Sequence, residues 1–224
     1  VLPPHTIGPD LIEELKRQTR DLARELQVKG LMNIQFAIKD REVFILEVNP
    51  RASRTVPFVS KATGVPLAKL ATRVMMGERL RDLDPWSQRK RGYLAVKEAV
   101  LPFSRFPGVD TLLGPEMRST GEVMGLDTSF GLAYVKSQIA AGQKLPVQGT
   151  VFISVNDGDK PHMVEPARIF SQLGLRLVAT KGTADFFAEY GIEAEIVNKV
   201  YEGRPNAIDL IKNKKVDLVI NTSS

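Results

Sequence analysis

Residues 33–49 read NIQFAIKDREVFILEVN, and this stretch decides the architecture of the first half of the chain. Two apolar runs, residues 33–39 and residues 43–49, are separated by the three polar residues 40–42. Apolar runs rich in β-branched and aromatic residues on both sides of a polar turn predict two antiparallel strands. We therefore expect a tight hairpin here.

Side-chain alternation gives this hairpin two different faces. The even positions are all apolar and are expected to face a core; they are Ile34, Phe36, Ile38, Phe44, Leu46 and Val48. Folding the chain about its turn brings position 35 opposite position 47, so Gln35, Glu47 and Asn49 converge on the other face. One carboxylate and two amides suit a hard cation such as Mg²⁺. The pattern alone also fits an ordinary solvated face of a hairpin.

Two arginines follow the hairpin directly. Arg51 and Arg54 would place guanidinium groups beside the oxygen-bearing face, where they could hold phosphoryl or carboxylate oxygens. Solvated surface arginines are the alternative. The whole stretch 33–64, NIQFAIKDREVFILEVNPRASRTVPFVSKATG, closely resembles the ATP-grasp core of carbamoyl-phosphate synthases. The EVNPR segment followed by SRTVPFVSKATG carries this resemblance.

The resemblance implies an activity and a set of site residues. The family makes carbamoyl phosphate from bicarbonate, ammonia and two ATP molecules with two related ATP-grasp halves. The TVPFVSK motif, residues 55–61, is similar to the second half, which phosphorylates carbamate. By resemblance, Gln35, Glu47 and Asn49 bind Mg²⁺ or Mn²⁺, and Gln35 and Glu47 also contact the substrate ATP. Arg51 and Arg54 are the implied catalytic residues, lying against the phosphoryl oxygens and stabilising their charge.

A second block of the same resemblance spans residues 97–125, KEAVLPFSRFPGVDTLLGPEMRSTGEVMG. Within it, Glu98 matches a position that helps to hold the activator ornithine in bacterial members. A surface carboxylate is the alternative reading. The richness of residues 102–125 in Pro, Gly and Thr predicts a connector with defined turns, and a helix is predicted at residues 129–141.

After Gly142, apolar strands alternate with amphipathic helices, which predicts a parallel sheet with helices on its faces. The predicted strands are residues 150–155, 176–180, 195–197 and 216–221, and the predicted helices are residues 161–173, 184–190 and 207–212. Ligands of such sheets bind beyond the carboxyl ends of the strands. Polar residues stand at these predicted ends: Ser154, Asn156, Thr180, Asn198, Lys199, Asn221, Thr222 and Ser223. Thr183 opens the next helix, where backbone N–H groups could meet a phosphate, and Lys160 adds positive charge. Turn and capping roles would explain the same residue types.

Three motifs of this second half favour the ligand-binding reading. TKGTA at residues 180–184, VNKVYEGRPN at 197–206 and VINTSS at 219–224 resemble the methylglyoxal-synthase-like domain that closes carbamoyl-phosphate synthases. In that domain a nucleotide effector, of the UMP or IMP type, sets the catalytic rate. The implied allosteric contacts are Ser154, Lys160, Thr180, Thr183, Lys199, Asn221 and Ser223. Lys181 stands where many relatives carry histidine, which leaves the effector preference open.

The sequence thus predicts an α/β protein with three segments. Residues 1–100 would be the carboxyl-terminal part of an ATP-grasp domain, with an antiparallel hairpin, an amphipathic helix at residues 10–28 that Asp10 would cap, and a helix at residues 66–76. Residues 101–142 would be a connector with a helix. Residues 143–224 would form a Rossmann-like, parallel-sheet methylglyoxal-synthase-like domain whose last family strand and helix are incomplete at Ser224.

Composition limits the number of domains, the partners and the cellular compartment that we expect. A length of 224 residues with 43% hydrophobic content suits two domains. The chain has no cysteine, so it can have no disulfide framework. The net charge of +5 is spread along the chain, which argues against nucleic acid as a partner. Neither a membrane-spanning apolar run nor a signal peptide is present, and we expect a cytoplasmic protein.

The family resemblance also implies partners. A glutamine-hydrolysing small subunit would supply ammonia, and the assembly would be an oligomer of such heterodimers serving pyrimidine and arginine biosynthesis. The 224 residues alone are expected to be inactive, because the family's ATP lid and adenine pocket would precede Val1. The alternative is a non-catalytic nucleotide-binding regulatory module. A free methylglyoxal synthase is disfavoured, since the sheet motifs lack a clear pair of catalytic aspartates.

Overall fold

The computed structural model describes residues 1–83, 92–106, 108–110, 112, 118–119 and 121–222. The chain divides into two compact units, Val1–Gln143 and Lys144–Ser224. The first unit contains the strands β1 (Asn33–Lys39), β2 (Glu42–Asn49), β3 (Leu94–Val100) and β4 (Gly121–Asp127), and the helices α1 (Pro9–Glu25), α2 (Thr55–Thr63), α3 (Leu67–Met75) and α4 (Phe130–Ala140). In the described part of the chain, no helix is both long enough and apolar enough to span a membrane.

The second unit carries the parallel sheet. Its strands are β5 (Thr150–Ser154), β6 (Arg176–Thr180), β7 (Glu195–Val197) and β8 (Leu218–Asn221), and its helices are α5 (Lys160–Gln172), α6 (Lys181–Glu189) and α7 (Ala207–Lys212). The strand order is β7-β6-β5-β8, and every neighbouring pair is parallel. The predicted parallel sheet is therefore confirmed.

Both faces of this sheet are covered, which explains why its strands are continuously apolar. Val151 and Ile153 of β5 pack with Phe187 of α6 in the larger buried cluster. Phe152, between them on the strand, points to the other face and packs with Val178 in a second cluster that α7 covers. Alternate residues of β5 thus support helices on opposite sides.

In the first unit, β1 and β2 form the predicted antiparallel hairpin, with Gln35 opposite Glu47. The turn is shorter than predicted. Asp40 and Arg41 alone form it, with φ angles of 50° and 67°, and Glu42 is already the first residue of β2. Two left-handed residues give the turn a twist that matches the flanking strands.

A β-bulge between Gln35 and Phe36 alters the faces of the hairpin. Phe36 pairs with Ile45, so Leu46 is the extra residue and the side-chain alternation of β2 changes parity there. Phe44 consequently pairs with Ala37, on the face of Gln35. Leu46 is 66% exposed and Phe44 is 46% exposed. The prediction that every even position faces a core is therefore wrong for these two residues, and Ile38 is exposed as well, at 38%.

The helices of the first unit are close to the predicted positions, with some differences. The helix predicted from residue 10 starts at Pro9, and its N-cap is Gly8 rather than Asp10. Proline at the first position fits, because its missing N–H would have no helical partner there. The predicted helix at residues 66–76 is α3. No helix was predicted at the position of α2, whose C-cap is Gly64 with a left-handed φ of 66°.

The segment predicted as a connector contains a strand. β4 pairs with β3 across the predicted boundary at residue 100, and α4 packs against both strands. The contact is close at Gly125, where an added Cβ would lie 2.0 Å from the carbonyl oxygen of Ala133. Ala133 and Ser137 of α4 are fully buried at this contact. Small residues thus bring the helix and the strand together.

Candidate functional sites

The hairpin presents the predicted oxygen ligands in register. Gln35 and Glu47 are direct cross-strand partners, so their side chains leave the sheet on the same face. Asn49 lies two residues further along β2, and strand alternation places it on that face as well. Gln35 and Glu47 are exposed and Asn49 is half-buried. One carboxylate and two amides open to solvent fit a hard divalent cation that keeps part of its shell for other ligands.

The two arginines lie where the chain leaves β2. The backbone N–H of Arg51 donates a 2.8 Å hydrogen bond to the carbonyl of Asn49, which turns the chain immediately after the last ligand position. The Arg51 guanidinium donates to the carbonyl of Ala52 at 3.2 Å. Arg54 directly precedes α2, and both side chains are exposed. The positive charges are therefore close in sequence to the oxygen-bearing face.

The predicted activator residue, Glu98, lies on β3 and is half-buried. Its Oε2 accepts a 2.8 Å hydrogen bond from Nε2 of Gln138 on α4. One carboxylate oxygen is therefore oriented by the helix, while the other can accept a further donor.

The strand ends of the second unit surround a polar cavity of about 290 Å³. We call this cavity the cup. Its lining combines strand ends, the loop after β5 and the start of α6: Ser154, Val155, Asn156, Asp157, Lys160, Thr180, Gly182, Thr183, Lys199 and Thr222. The structure thus brings together Ser154, Lys160, Thr180, Thr183 and Lys199 of the predicted effector contacts. Asn221 is exposed at the end of β8, outside the described lining, and Ser223 lies outside the described residues.

Buried hydroxyls and a helix start form the floor of the cup. Thr180, the N-cap of α6, has an extended backbone, and Thr180 and Thr183 are 5% and 1% exposed. Their hydroxyl oxygens are 3.4 Å apart, and Thr180 Oγ1 is also 3.4 Å from Ser154 Oγ. These long contacts are weak. The hydroxyls and the free N–H groups of the first helical turn can therefore donate to an anion.

One carboxylate of the cup, Asp157, was not predicted from the sequence. Asp157 Oδ1 lies 2.6 Å from Lys160 Nζ. This hydrogen bond and the Lys160 charge lower the pKa of Asp157, with a smaller contribution from the Lys199 charge. The NDGDK stretch resembles an ordinary polar turn, in which aspartate is common. Only the fold shows that its first carboxylate belongs to the cup.

The rest of that loop is held by hydrogen bonds. Asn156 Nδ2 donates to Asp159 Oδ2 at 2.7 Å and to Thr222 Oγ1 at 3.2 Å. The backbone N–H of Asp159 returns a 3.0 Å bond to Asn156 Oδ1. The loop after β5 is thereby tied to the end of β8.

Comparisons with known proteins match both units. Residues 1–83 match the carbamoyl-phosphate synthase L chain, ATP binding domain. Residues 162–224 match the MGS-like domain. The chain is thus an α/β protein in which the end of an ATP-binding domain precedes an MGS-like domain, as the predicted fold class has it.

Similar proteins cover essentially the whole chain. The carbamoyl phosphate synthase large chain of Rhizobium meliloti is 58% identical over 99% of this chain and 20% of that protein. The large chain of Archaeoglobus fulgidus is 56% identical over 100% of this chain and 21% of that protein. The large chain, C-terminal section, of Aquifex aeolicus is 51% identical over 100% of this chain and 44% of that protein. The chain belongs to the carbamoyl phosphate synthase large-chain family and corresponds to its carboxyl-terminal part, spanning about a fifth of the first two relatives.

Proposed function

We propose that this chain ends the second ATP-grasp domain of a carbamoyl phosphate synthase and carries the regulatory domain of that enzyme. The whole enzyme would use ATP to make carbamoyl phosphate from bicarbonate and ammonia, for pyrimidine and arginine biosynthesis. The names of relatives that are similar over the full chain support this activity. Because the chain spans about a fifth of two large-chain relatives, we expect synthesis to need the rest of the large chain.

The observation that carries the catalytic part is the pairing of Gln35 with Glu47. With Asn49 on the same face, these residues would hold Mg²⁺ or Mn²⁺ beside the ATP phosphates. When bound, the ion would neutralise charge on the transferred phosphoryl group. Arg51 and Arg54 would add positive charge, and their guanidinium forks suit phosphoryl oxygens.

The regulatory part rests on the cup. Lys160, Lys199 and the start of α6 line one cavity, and all three favour an anion. A nucleoside monophosphate of the UMP or IMP type would place its phosphate there. Asn221 and Ser223 would be reached by other parts of the nucleotide.

Further features follow from the family. The large chain would work with a glutamine-hydrolysing small subunit, in an oligomer of heterodimers, in the cytoplasm. Glu98 would help to bind ornithine through the carboxylate oxygen that Gln138 leaves available. These proposals can be tested by co-purification and by ornithine titration of a Glu98→Gln variant.

The experiment that tests the catalytic proposal is Glu47→Gln in the full-length large chain. We expect carbamoyl phosphate formation to fall by about a hundredfold or more, because a charged metal ligand is lost. Effector binding should be unchanged. The matched control is Glu42→Gln, which neutralises an exposed carboxylate of the same strand beside the turn. A Glu47→Gln enzyme as active as the control would show that Glu47 does not hold the metal.

A further inference from the structure

The ion pair at the cup joins one fixed and one free side chain. The side chain of Lys160 is only 16% exposed, whereas that of Asp157 is 95% exposed. Lys160 is the first residue of α5, so helix packing holds its position. The Asp157 carboxylate extends from the loop into solvent and reaches back to the ammonium group.

We propose that Asp157 competes with the ligand phosphate for Lys160, an inference that rests on the proposed nucleotide site. In the ligand-free protein, the Asp157 carboxylate occupies the Lys160 ammonium. A phosphate entering the cup takes over this ammonium, and the carboxylate swings into solvent. Asp157 thereby lowers the affinity of the cup for phosphate-bearing ligands.

Charge explains why the two anions exclude each other. The charged side chains among the described lining residues are Lys160, Lys199 and Asp157. A lysine ammonium has three donors and could in principle serve two acceptors. However, a phosphate beside a carboxylate brings like charges together, which is unfavourable at such short range. Binding therefore favours departure of the carboxylate.

The Asp157 carboxylate can be displaced from Lys160 by a ligand. The Asp157 carboxylate is 95% exposed, so it is hydrated when it leaves, and the phosphate replaces it as the partner of the mostly buried Lys160 ammonium. Asp159, the other carboxylate of this loop, differs, because it is tied by hydrogen bonds to Asn156. Asp157 has its ion pair with Lys160 and otherwise faces solvent. Of the two carboxylates, Asp157 is the one that can move without disturbing the loop.

The consequence is an adjusted affinity. Without Asp157, the cup would keep both lysines for the ligand and would bind phosphate more tightly. With Asp157 present, the affinity is lower, so half-saturation of the cup requires a higher effector concentration.

The test is calorimetric titration of the 224-residue chain with uridine monophosphate and with inorganic phosphate. We expect Asp157→Asn to bind both ligands about three- to tenfold more tightly than the unsubstituted chain. The matched control is Asp185→Asn, which removes the same charge from another lysine pair, Lys181–Asp185 at 2.9 Å, outside the described lining of the cup. Screening at physiological salt should hold the change in this control within about twofold.

A double substitution tests the mechanism. In a Lys160→Ala background, Asp157→Asn should give less than about a twofold gain, because no ammonium remains to compete for. Thermal melting of each variant checks that it is folded.

The outcomes separate this inference from the proposed site. Suppose that the unsubstituted chain binds the ligands and that Lys160→Ala weakens binding. If Asp157→Asn then has unchanged or weaker affinity, competition by Asp157 is disproved, whereas the cup remains supported as the binding site. An equal gain in Asp185→Asn would also overturn this competition, as an effect of net charge. If neither Lys160→Ala nor Lys199→Ala changes binding, or if the unsubstituted chain binds neither ligand, both the cup and the competitor are overturned.

Discussion

The hairpin of the first unit and the parallel sheet of the second unit hold their polar sites in different ways. Every residue of β1 and β2 is exposed or half-buried. In contrast, the middle of β5 and nearly all of β6 are buried. The cup is therefore positioned by a core, whereas the hairpin ligands are positioned by backbone register. The hairpin site should therefore be sensitive to changes in strand register, and the cup should be sensitive to changes in core packing.

The largest effect is expected from Phe187→Ala, in the core below the cup. Phe187 is 0% exposed, and its truncation should destabilise the second unit by about 3–5 kcal/mol. Phe44→Ala in the hairpin is the matched control, because Phe44 is 46% exposed; it should cost less than about 1 kcal/mol. Urea unfolding followed by circular dichroism measures both. Equal losses would contradict the contrast between the two regions.

A close-packed contact of the first unit lies away from the hairpin, and Gly125→Ala tests it. The added Cβ would lie 2.0 Å from Ala133 O and 2.5 Å from Ser137 N. Because these are backbone atoms, α4 would have to shift, at about 2–3 kcal/mol of unfolding free energy. Gly121→Ala, on the same strand with open space around the new Cβ, is the control. A tolerated Gly125→Ala would mean that α4 packs more loosely on β4 than described.

A smaller loss is expected in ligand binding at the cup. Lys199→Ala should weaken binding of uridine monophosphate by roughly 1.5–3 kcal/mol, the range for a charge-assisted hydrogen bond. Thr183→Ala should also weaken binding, and titration with inosine monophosphate shows which effector is preferred. Lys181→Ala is the control, since Lys181 pairs with Asp185 outside the described lining. The cup would be disproved by unchanged affinity in both Lys199→Ala and Thr183→Ala.

The same contrast explains which features the sequence could predict. The bounds of β6, β7 and α7 match the prediction, because these elements alternate regularly between turn signals. Folding about Arg41 predicted the pairing of Gln35 with Glu47, and the pairing is observed. It arises differently, because the shorter turn alone would place Gln35 opposite Leu46 and the bulge shifts the register by one residue. The bulge was not predicted, since an extra residue leaves no mark in an apolar run. β4 was also missed, because Gly125 interrupts its apolar pattern and weakens a strand signal.

The candidate sites show the same limit. Residue types at strand ends predicted five lining residues of the cup, because parallel strands bring their carboxyl ends to one edge. Asp157 was not predicted, since its role depends on where the loop after β5 turns. Pattern reveals which elements meet, but the charge balance of a cavity depends on loop geometry.

The smallest effect concerns pH, and it tests whether surface electrostatics contribute to the first unit outside the hairpin. Asp127, at the end of β4, accepts hydrogen bonds from Lys136 Nζ at 2.6 Å and from the Ser129 backbone N–H at 3.2 Å. These partners lower the pKa of Asp127 to about 2, whereas an unfolded aspartate titrates at about 3.9. Because the folded pKa is the lower one, the stabilisation is fully present above the unfolded value and is lost as the pH falls towards the folded value.

Asp127→Asn should therefore melt at a lower temperature than the unsubstituted chain at pH 5 to 7. The difference should shrink between about pH 4 and pH 2, because protonation removes the same charge from the unsubstituted protein. Thermal melting of both proteins across this range measures it. A difference that stays constant down to pH 2 would contradict the prediction, because it would show that the loss does not come from the charge that Lys136 attracts.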